Sequence, residues 1–441
     1  MKYKCVTLGC KLNYYESCGL DEALAARGLV PVGDGGPADV VLVNSCAVTS
    51  RAGMQSRQRL RKEIRENPGA LVLITGCYAQ YDPAGCAAIE GVAAVVGNPG
   101  KAAIPAWVAA HAGRPPREPA IFGLDGSLPV TALRAAAFRG RSRALLKIQD
   151  GCNSFCSYCI IPYLRQRSRS LSPDVVLEEA GKLAAAGYGE LVLTGVHLGQ
   201  YGLDLRPATD LTALLRRLDR LPALSRLRLG SLQPPEITAG IIDLLVDENS
   251  CVCEHLHLSL QSLVDRVLEA MGRQYRQRQV IALVEAIKRR HPRVTLGADL
   301  IVGFPAAGRD DFRDTCRLLA DLPLDYLHVF PYSPRPGTKA AGWPAAAGDG
   351  EIRERVAAIQ ELGAAMRERC YAANVGVEHE VLLEKPVAAA GKEPVWTGHS
   401  RNYLQVRVAL SSPEARVLRA GDCCRVTTTG AEPGRWLRAK K

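Results

Sequence analysis

Short apolar runs rich in β-branched residues alternate with stretches of helical period through the first hundred residues. Residues 4–8, 40–43 and 71–74 read as buried strands, and residues 13–27 and 49–66 as helices between them. Asn67-Pro68-Gly69 closes the second helix. Such alternation builds a parallel sheet covered by helices. The pattern lapses over residues 98–140, where Asn98-Pro99-Gly100, Gly113-Arg-Pro-Pro116 and the stretch 123–129 punctuate a linker with a helical piece at 101–112. It resumes with six strand candidates at 144–148, 190–194, 226–230, 255–260, 294–301 and 326–331. Ser172-Pro173 opens one of the intervening helices and Gly187 ends it. Six β–α repeats predict a barrel or partial barrel with its chemistry at the carboxyl ends of the strands. After a last helix at 350–373 the period falls to two. Residues 378–383, 404–410 and 424–429 then predict a small antiparallel barrel of about 65 residues. The expected fold class is α/β. It comprises an open parallel α/β domain over 1–98, a linker over 99–137, a partial (β/α)6 barrel over 138–373 and an all-β barrel over 375–441.

Composition narrows the class. The 441 residues are 47% hydrophobic and 23% charged, as in a globular protein. No uncharged run reaches the ~20 residues a bilayer span needs, and no signal-peptide pattern opens the chain. A cytoplasmic protein without a membrane partner is expected. Fifteen cysteines in such a chain argue for metal or catalysis rather than disulfides. A net charge of +11 favours a polyanion such as nucleic acid. Basic residues gather at Arg51, Arg57, Arg59, Arg61, Lys62 and Arg65, at Arg165, Arg167 and Arg169, and in the closing Arg-Trp-Leu-Arg-Ala-Lys-Lys441. Phosphate contact is one use for them. A solvated helix face or a free terminus is the plainer reading of any single one.

Two cysteine sets carry the chemistry. Gly151-Cys-Asn-Ser-Phe-Cys-Ser-Tyr-Cys159 spaces Cys152, Cys156 and Cys159 as C-x3-C-x2-C, just beyond a barrel strand. Three soft thiolates suit an iron–sulfur cluster with one iron left open. Structural zinc usually takes four protein ligands, and no matching second pair lies near. Cys10, Cys46 and Cys77 each follow a predicted parallel strand by two or three residues. Those strand ends share one sheet edge, so the three thiols converge. A set of separate small buried residues is the competing reading. Cys5, Cys18, Cys86, Cys316 and Cys370 fall inside predicted elements and read as core, while Cys251, Cys253, Cys423 and Cys424 receive no role. Gly195 with His197, Gly230 and Gly303 mark barrel strand ends where a backbone can approach a ligand closely. An adenine-bearing cofactor laid across them would meet Ser231, Gln261 or Asp299.

The triplet resembles the radical S-adenosylmethionine (SAM) signature, and the resemblance extends along nearly the whole chain. Leu8-Gly-Cys-Lys-Leu-Asn13, Val43-Asn-Ser-Cys-Ala-Val-Thr49 and Thr75-Gly-Cys-Tyr-Ala-Gln80 are similar to the three cysteine motifs of the radical SAM methylthiotransferase family. Ile148-Gln-Asp-Gly-Cys-Asn153, the stretch 193–202 and Phe330-Pro-Tyr-Ser-Pro-Arg-Pro-Gly-Thr338 resemble its barrel segments. Thr397-Gly-His-Ser-Arg-Asn-Tyr403 resembles its TRAM domain, an RNA-binding β-barrel. Lys-Leu-Asn after Cys10 and Ala-Val-Thr after Cys46 are most like the branch that modifies N6-threonylcarbamoyladenosine (t6A) in tRNA. The isopentenyladenosine branch has Gln-Met-Asn and Ser-Ile-Arg there, and a third branch modifies a ribosomal-protein aspartate. The chain departs from the family pattern at Leu263 and Val264, at Ala306, Ala307 and Gly308, and at Gln166, where a glycine is usual. Bulk at 263 and 264 would alter the SAM pocket or the loop above it.

The resemblance implies two [4Fe-4S] clusters and SAM. Cys152, Cys156 and Cys159 would hold the cluster that cleaves SAM to a 5′-deoxyadenosyl radical, and Cys10, Cys46 and Cys77 the auxiliary cluster that carries sulfur. The expected reaction places a methylthio group on C2 of the adenine. Implied partners are a tRNA anticodon stem-loop, an electron donor such as flavodoxin or ferredoxin, and a sulfur donor. The rival readings are methylthiolation of isopentenyladenosine in tRNA or of a ribosomal-protein aspartate, another radical SAM enzyme, a methyltransferase or lyase whose amino-terminal cysteines are structural, and a zinc-stapled RNA-binding protein.

Overall fold

The computed structural model describes residues 1–33, 36–111, 113–114, 116–126, 133–138, 140–222, 224–387, 394–411, 417–432 and 436–440. Its amino-terminal part is a six-stranded, wholly parallel sheet. The strand order is Val30–Pro31, Lys2–Thr7, Val40–Ser45, Leu71–Gly76, Val92–Val96 and Ala120–Phe122. Val40–Ser45 and Leu71–Gly76 are buried at every position, as central parallel strands covered on both faces must be. The helix Ser50–Glu66 starts on Thr49, whose side chain accepts a hydrogen bond from the Ala52 N–H at 3.0 Å. The sheet runs past the expected boundary at residue 98. The stretch read as a linker supplies the helix Ile104–His111 and the edge strand Ala120–Phe122.

Six parallel strands follow in sequential order. Arg143–Lys147, Glu190–Thr194 and Leu227–Arg228 form one sheet, and His255–Gln261, Thr295–Val302 and Tyr326–Pro331 another. Leu232 pairs with Leu258 and Leu227 with Val252, which joins the two sheets into one arc. The first and last strands do not pair, so the barrel is partial. The tail is a closed barrel of five strands, Glu378–Val387, Val395–Ser400, Gln405–Ala409, Trp436–Lys440 and Cys423–Glu432 in that order around it. The period-two reading found three of them. Among the described residues no helix is long and apolar enough to cross a membrane.

Two buried ion networks dock these parts. Glu16, on the amino-terminal helix Lys11–Ala25, takes both guanidinium nitrogens of Arg165 at 2.8 and 3.0 Å and the Lys101 ammonium at 2.5 Å. Arg165 also reaches Asn13 at 2.6 Å and Asp150 at 3.1 Å, and Lys147 lies 3.0 Å from Asp150. All six side chains are buried. At the other end of the barrel Glu190 holds Arg226 at 2.8 Å and Arg228 at 2.7 Å. Arg228 in turn donates to the carbonyls of Arg401 and Ser400 in the tail, at 2.8 and 3.3 Å.

The sequence groups Arg165 with Arg167 and Arg169 as a basic cluster, with phosphate contact one use for it and a solvated surface the plainer reading. The structure bears out neither reading for Arg165, which is buried against two carboxylates. Burial alone would raise the Glu16 pKa, but Arg165, Lys101 and Lys147 together hold it well below the usual carboxylate range. Glu16→Gln leaves those cations buried and under-paired, and should cost about 3–5 kcal/mol in denaturant unfolding. The Glu16 contribution is full above the ordinary glutamate pKa and is lost as pH falls through its depressed value. A loss below about 1 kcal/mol would contradict this role.

Candidate functional site

Each amino-terminal cysteine stands where a parallel strand gives way to a helix. Cys10 caps the helix Lys11–Ala25, Cys46 follows Val40–Ser45, and Cys77 begins the helix Cys77–Tyr81. Backbone freedom sets two of these bends. Gly9 lies at φ +99°, and a Cβ there would sit 2.9 Å from the Cys46 sulfur. Gly76 lies at φ +93°, where a Cβ would meet Asn44 Oδ1 at 2.5 Å. Asn13 ties the first two bends together, donating to the carbonyls of Leu8 and Ser45, each at 2.9 Å.

The barrel triplet sits on a loop pinned at several points. The Cys152 N–H donates to the Gln166 carbonyl at 2.9 Å and the Ser157 N–H to the Met271 carbonyl at 3.0 Å. Cys152 Sγ lies 3.4 Å from His197 Nδ1, while Gln233 Nε2 lies 2.8 Å from His197 Nε2, which also pairs with Glu236. Burial works to raise the Cys152 pKa, but the hydrogen bonds from His197 and Ser154 together outweigh it and the thiol is held below its ordinary value. Burial pushes Cys46 up to about 11 and Cys159 up to about 12.

The two sets meet. Cys10, Cys46, Cys77, Cys152, Cys156 and Cys159 line one cavity of about 400 Å³. Gly195, His197, Gly230 and Ser231 line it too, at the ends of the second and third barrel strands. Two trios of soft sulfur ligands, with Arg165 and Arg273 lining the same cavity, match iron–sulfur clusters that each lack one protein ligand. A structural zinc takes four protein ligands, one more than either trio supplies.

Three expected cofactor contacts lie elsewhere, and here the structure corrects the sequence reading. A register break between Leu258 and Gln261 turns Gln261 away at φ +64°. Gly303 packs on Ile352 of the last helix, and both Gln261 and Gly303 border a separate small cavity of about 30 Å³. Asp299 is engaged by His257 at 2.9 Å and His328 at 3.5 Å. Leu263 is fully buried in the barrel core. Val264, Ala306 and Ala307 pack around Phe304, and none of the four lines the thiol cavity.

Comparison with known proteins agrees with this geometry. Residues 146–319 match the Radical SAM superfamily and residues 2–97 the Uncharacterized protein family UPF0004. Threonylcarbamoyladenosine tRNA methylthiotransferase MtaB of Bacillus subtilis is 34% identical over 91% of this chain and 88% of its own length. The chain belongs to the radical SAM methylthiotransferase family. Its relatives include MtaB of Aquifex aeolicus, 34% identical over 87% of this chain and 93% of that protein. They also include the tRNA-2-methylthio-N(6)-dimethylallyladenosine synthase of Pelotomaculum thermopropionicum, 30% identical over 98% and 95%. Among solved structures, the radical S-adenosylmethionine methyltransferase TsrM of Kitasatospora setae shares the fold, with TM-score 0.56 and 17% identity over 77% of each chain.

Sequence reasoning missed several residues of this methylthiotransferase that line or brace the cavity: Lys11, Arg165, Gln233, Glu236 and Arg273. Lys11 follows Cys10 directly but carries no signal of its own, and the other four arrive by long-range contacts that no local spacing announces. Gln166 stands at φ +63°, ψ −157°, a region that essentially only glycine occupies freely. Strain of about 1–3 kcal/mol, less the entropy glycine loses on folding, predicts that Gln166→Gly stabilises the methylthiotransferase by about 1 kcal/mol. A thermal shift upward of roughly 2–4 °C is expected if the barrel melts as one unit, and a downward shift would contradict the reading.

Proposed function

We propose that this enzyme adds a methylthio group to C2 of t6A beside the anticodon of tRNA, in the cytoplasm. The observation that carries the proposal is the single cavity shared by both cysteine sets. Cys152, Cys156 and Cys159 are assigned to the SAM-binding cluster, and Cys10, Cys46 and Cys77 to the auxiliary one. When bound, the first cluster supplies reductive SAM cleavage and the second supplies the sulfur.

The protein's own part is placement. His197 holds the Cys152 sulfur. Gln149 Oε1 accepts the backbone N–H groups of Val196 and His197 at 3.0 and 2.9 Å, which fixes the turn carrying Gly195. Gly195 and Gly230 keep the wall low for a nucleoside, and Ser231 offers a hydroxyl. The base must leave its stack to enter, as single-stranded anticodon loops allow. Exposed cations such as Arg51, Arg61 and Arg167, with the tail barrel, would carry the flanking phosphates. Reduction and sulfur supply call for an electron donor and a sulfur donor.

Isopentenyladenosine is the second reading, favoured by the Pelotomaculum relative at 30% identity. The Lys-Leu-Asn after Cys10 and the MtaB relatives favour t6A.

Anaerobic reconstitution should give about eight irons per wild-type chain and about four in Cys10→Ala/Cys46→Ala/Cys77→Ala. The triple variant should still cleave SAM yet insert no sulfur into RNA, whereas Cys152→Ala should lose both. Nucleoside mass spectrometry of tRNA from a strain lacking the gene should show t6A without its 2-methylthio form. Four irons in the wild type, or an unchanged 2-methylthio-t6A level, would overturn the proposal.

A further inference from the structure

The thiol cavity does not end at Cys10. Cys10 and Lys11 also line a second cavity of about 760 Å³, where the amino-terminal sheet, the barrel and the tail barrel meet. Tyr14, Arg141, Arg143, Lys385 and Tyr403 contribute to its wall. Its size is that of a small-molecule site.

The cations on this wall differ in how they are paired. Arg143 is held by Glu384 at 2.8 Å, and Arg228 by Glu190 at 2.7 Å. Arg141 lies over the Tyr14 ring, 4.1 Å from its centroid, with no carboxylate in ion-pair range among the described residues. Lys11 is exposed, and it lines both cavities. Among the described residues it has neither an ion pair nor a hydrogen bond. The charged groups acting on it are two cations, Arg143 and Arg228, and the Glu190 carboxylate that already pairs with Arg228. The carboxylates here, Glu384 and Glu190, are committed to Arg143 and Arg228, so Lys11 and Arg141 stand on this wall without a carboxylate of their own among the described residues. The site therefore suits an anion.

Position says which anion. On adenine, C2 and the carbon bearing N6 flank the same ring nitrogen. A base presented with C2 to the auxiliary thiols must carry its N6 substituent only a few bonds away. Lys11 is the residue next to Cys10. The threonylcarbamoyl group ends in a carboxylate, and an isopentenyl group has no charge.

We propose that Lys11, supported by Arg141, binds the carboxylate of the threonylcarbamoyl group and so selects this base against neutral N6 substituents. The inference rests on the proposed function above and adds to it the residue that reads the substrate. A phosphate of the RNA backbone would offer similar oxygens, and the test separates the two.

Two anticodon stem-loop oligonucleotides serve as probes, one with t6A and one with its threonyl methyl ester. Reconstituted wild type, Lys11→Gln and Lys11→Arg are compared by kcat/KM, with iron counted in each. The wild type should prefer the free carboxylate by about 10-fold to 100-fold, the range of a charge-assisted hydrogen bond. Lys11→Gln should bring that ratio close to one by losing rate on the carboxylate substrate alone, and Lys11→Arg should restore most of it. A wild type that ignores esterification overturns the inference without any variant, so a Lys11→Gln chain that fails to hold iron does not shelter it. Equal losses on both oligonucleotides assign Lys11 to phosphate and also overturn it. A wild type that modifies neither oligonucleotide removes the proposed function itself, an outcome distinct from turnover without discrimination.

Discussion

The buried ion cluster around Glu16 is the contact on which the rest of the structure depends. Glu16 belongs to the helix that begins beside Cys10, and Asp150 precedes Cys152 by two residues. Arg165 bonds both carboxylates, so one guanidinium ties the loop of one thiol set to the loop of the other. Lys101 extends the network toward Cys77, through the short helix where Asn98 donates to the Leu164 carbonyl at 3.0 Å. Apolar packing could join the two domains as strongly. It would not set direction and distance as five bonded charges do. Three buried cations (Lys101, Lys147 and Arg165) face two buried carboxylates (Glu16 and Asp150), an excess of one positive charge. Thiolate-bound iron–sulfur clusters carry negative charge, so this excess lies where it is compensated.

A second network gives the tail barrel a part in the site. Arg226 and Arg228, both on Glu190, reach the carbonyls of His399, Ser400 and Arg401. The loop they hold carries Tyr403, which packs on His255 at 4.5 Å and lies under Arg228 at 4.7 Å. Tyr403 also lines the cavity that adjoins Cys10. The three parts of the chain thus meet at two adjoining cavities that share Cys10 and Lys11. The sheet and the barrel bring the thiols, and the tail closes the far wall.

The two thiol sets differ in how far the sequence discloses them. C-x3-C-x2-C is a local spacing and is legible at once. Cys10, Cys46 and Cys77 are scattered, yet each sits past a readable strand, and parallel strands align their ends. Short strands escaped notice where burial is contributed by small residues, as in Val92–Val96, or where only three residues pair, as in Ala120–Phe122. Gln261, Asp299 and Gly303 were misplaced for a related reason. A bulge, a histidine pair and a helix contact redirect them, and none of these follows from position along a strand. The roles of Lys11, Glu16 and Arg165 depend on what faces them across a domain boundary. Periodicity holds no record of that.

The central claim is that two iron–sulfur clusters face each other across one cavity. The electron paramagnetic resonance spectrum of the dithionite-reduced, reconstituted enzyme tests it most directly. The account predicts a signal broadened by dipolar coupling between two paramagnetic clusters, narrowing to one uncoupled signal when Cys10, Cys46 and Cys77 are replaced by alanine. A wild-type spectrum that is the plain sum of two non-interacting clusters, or that shows one cluster only, would contradict it.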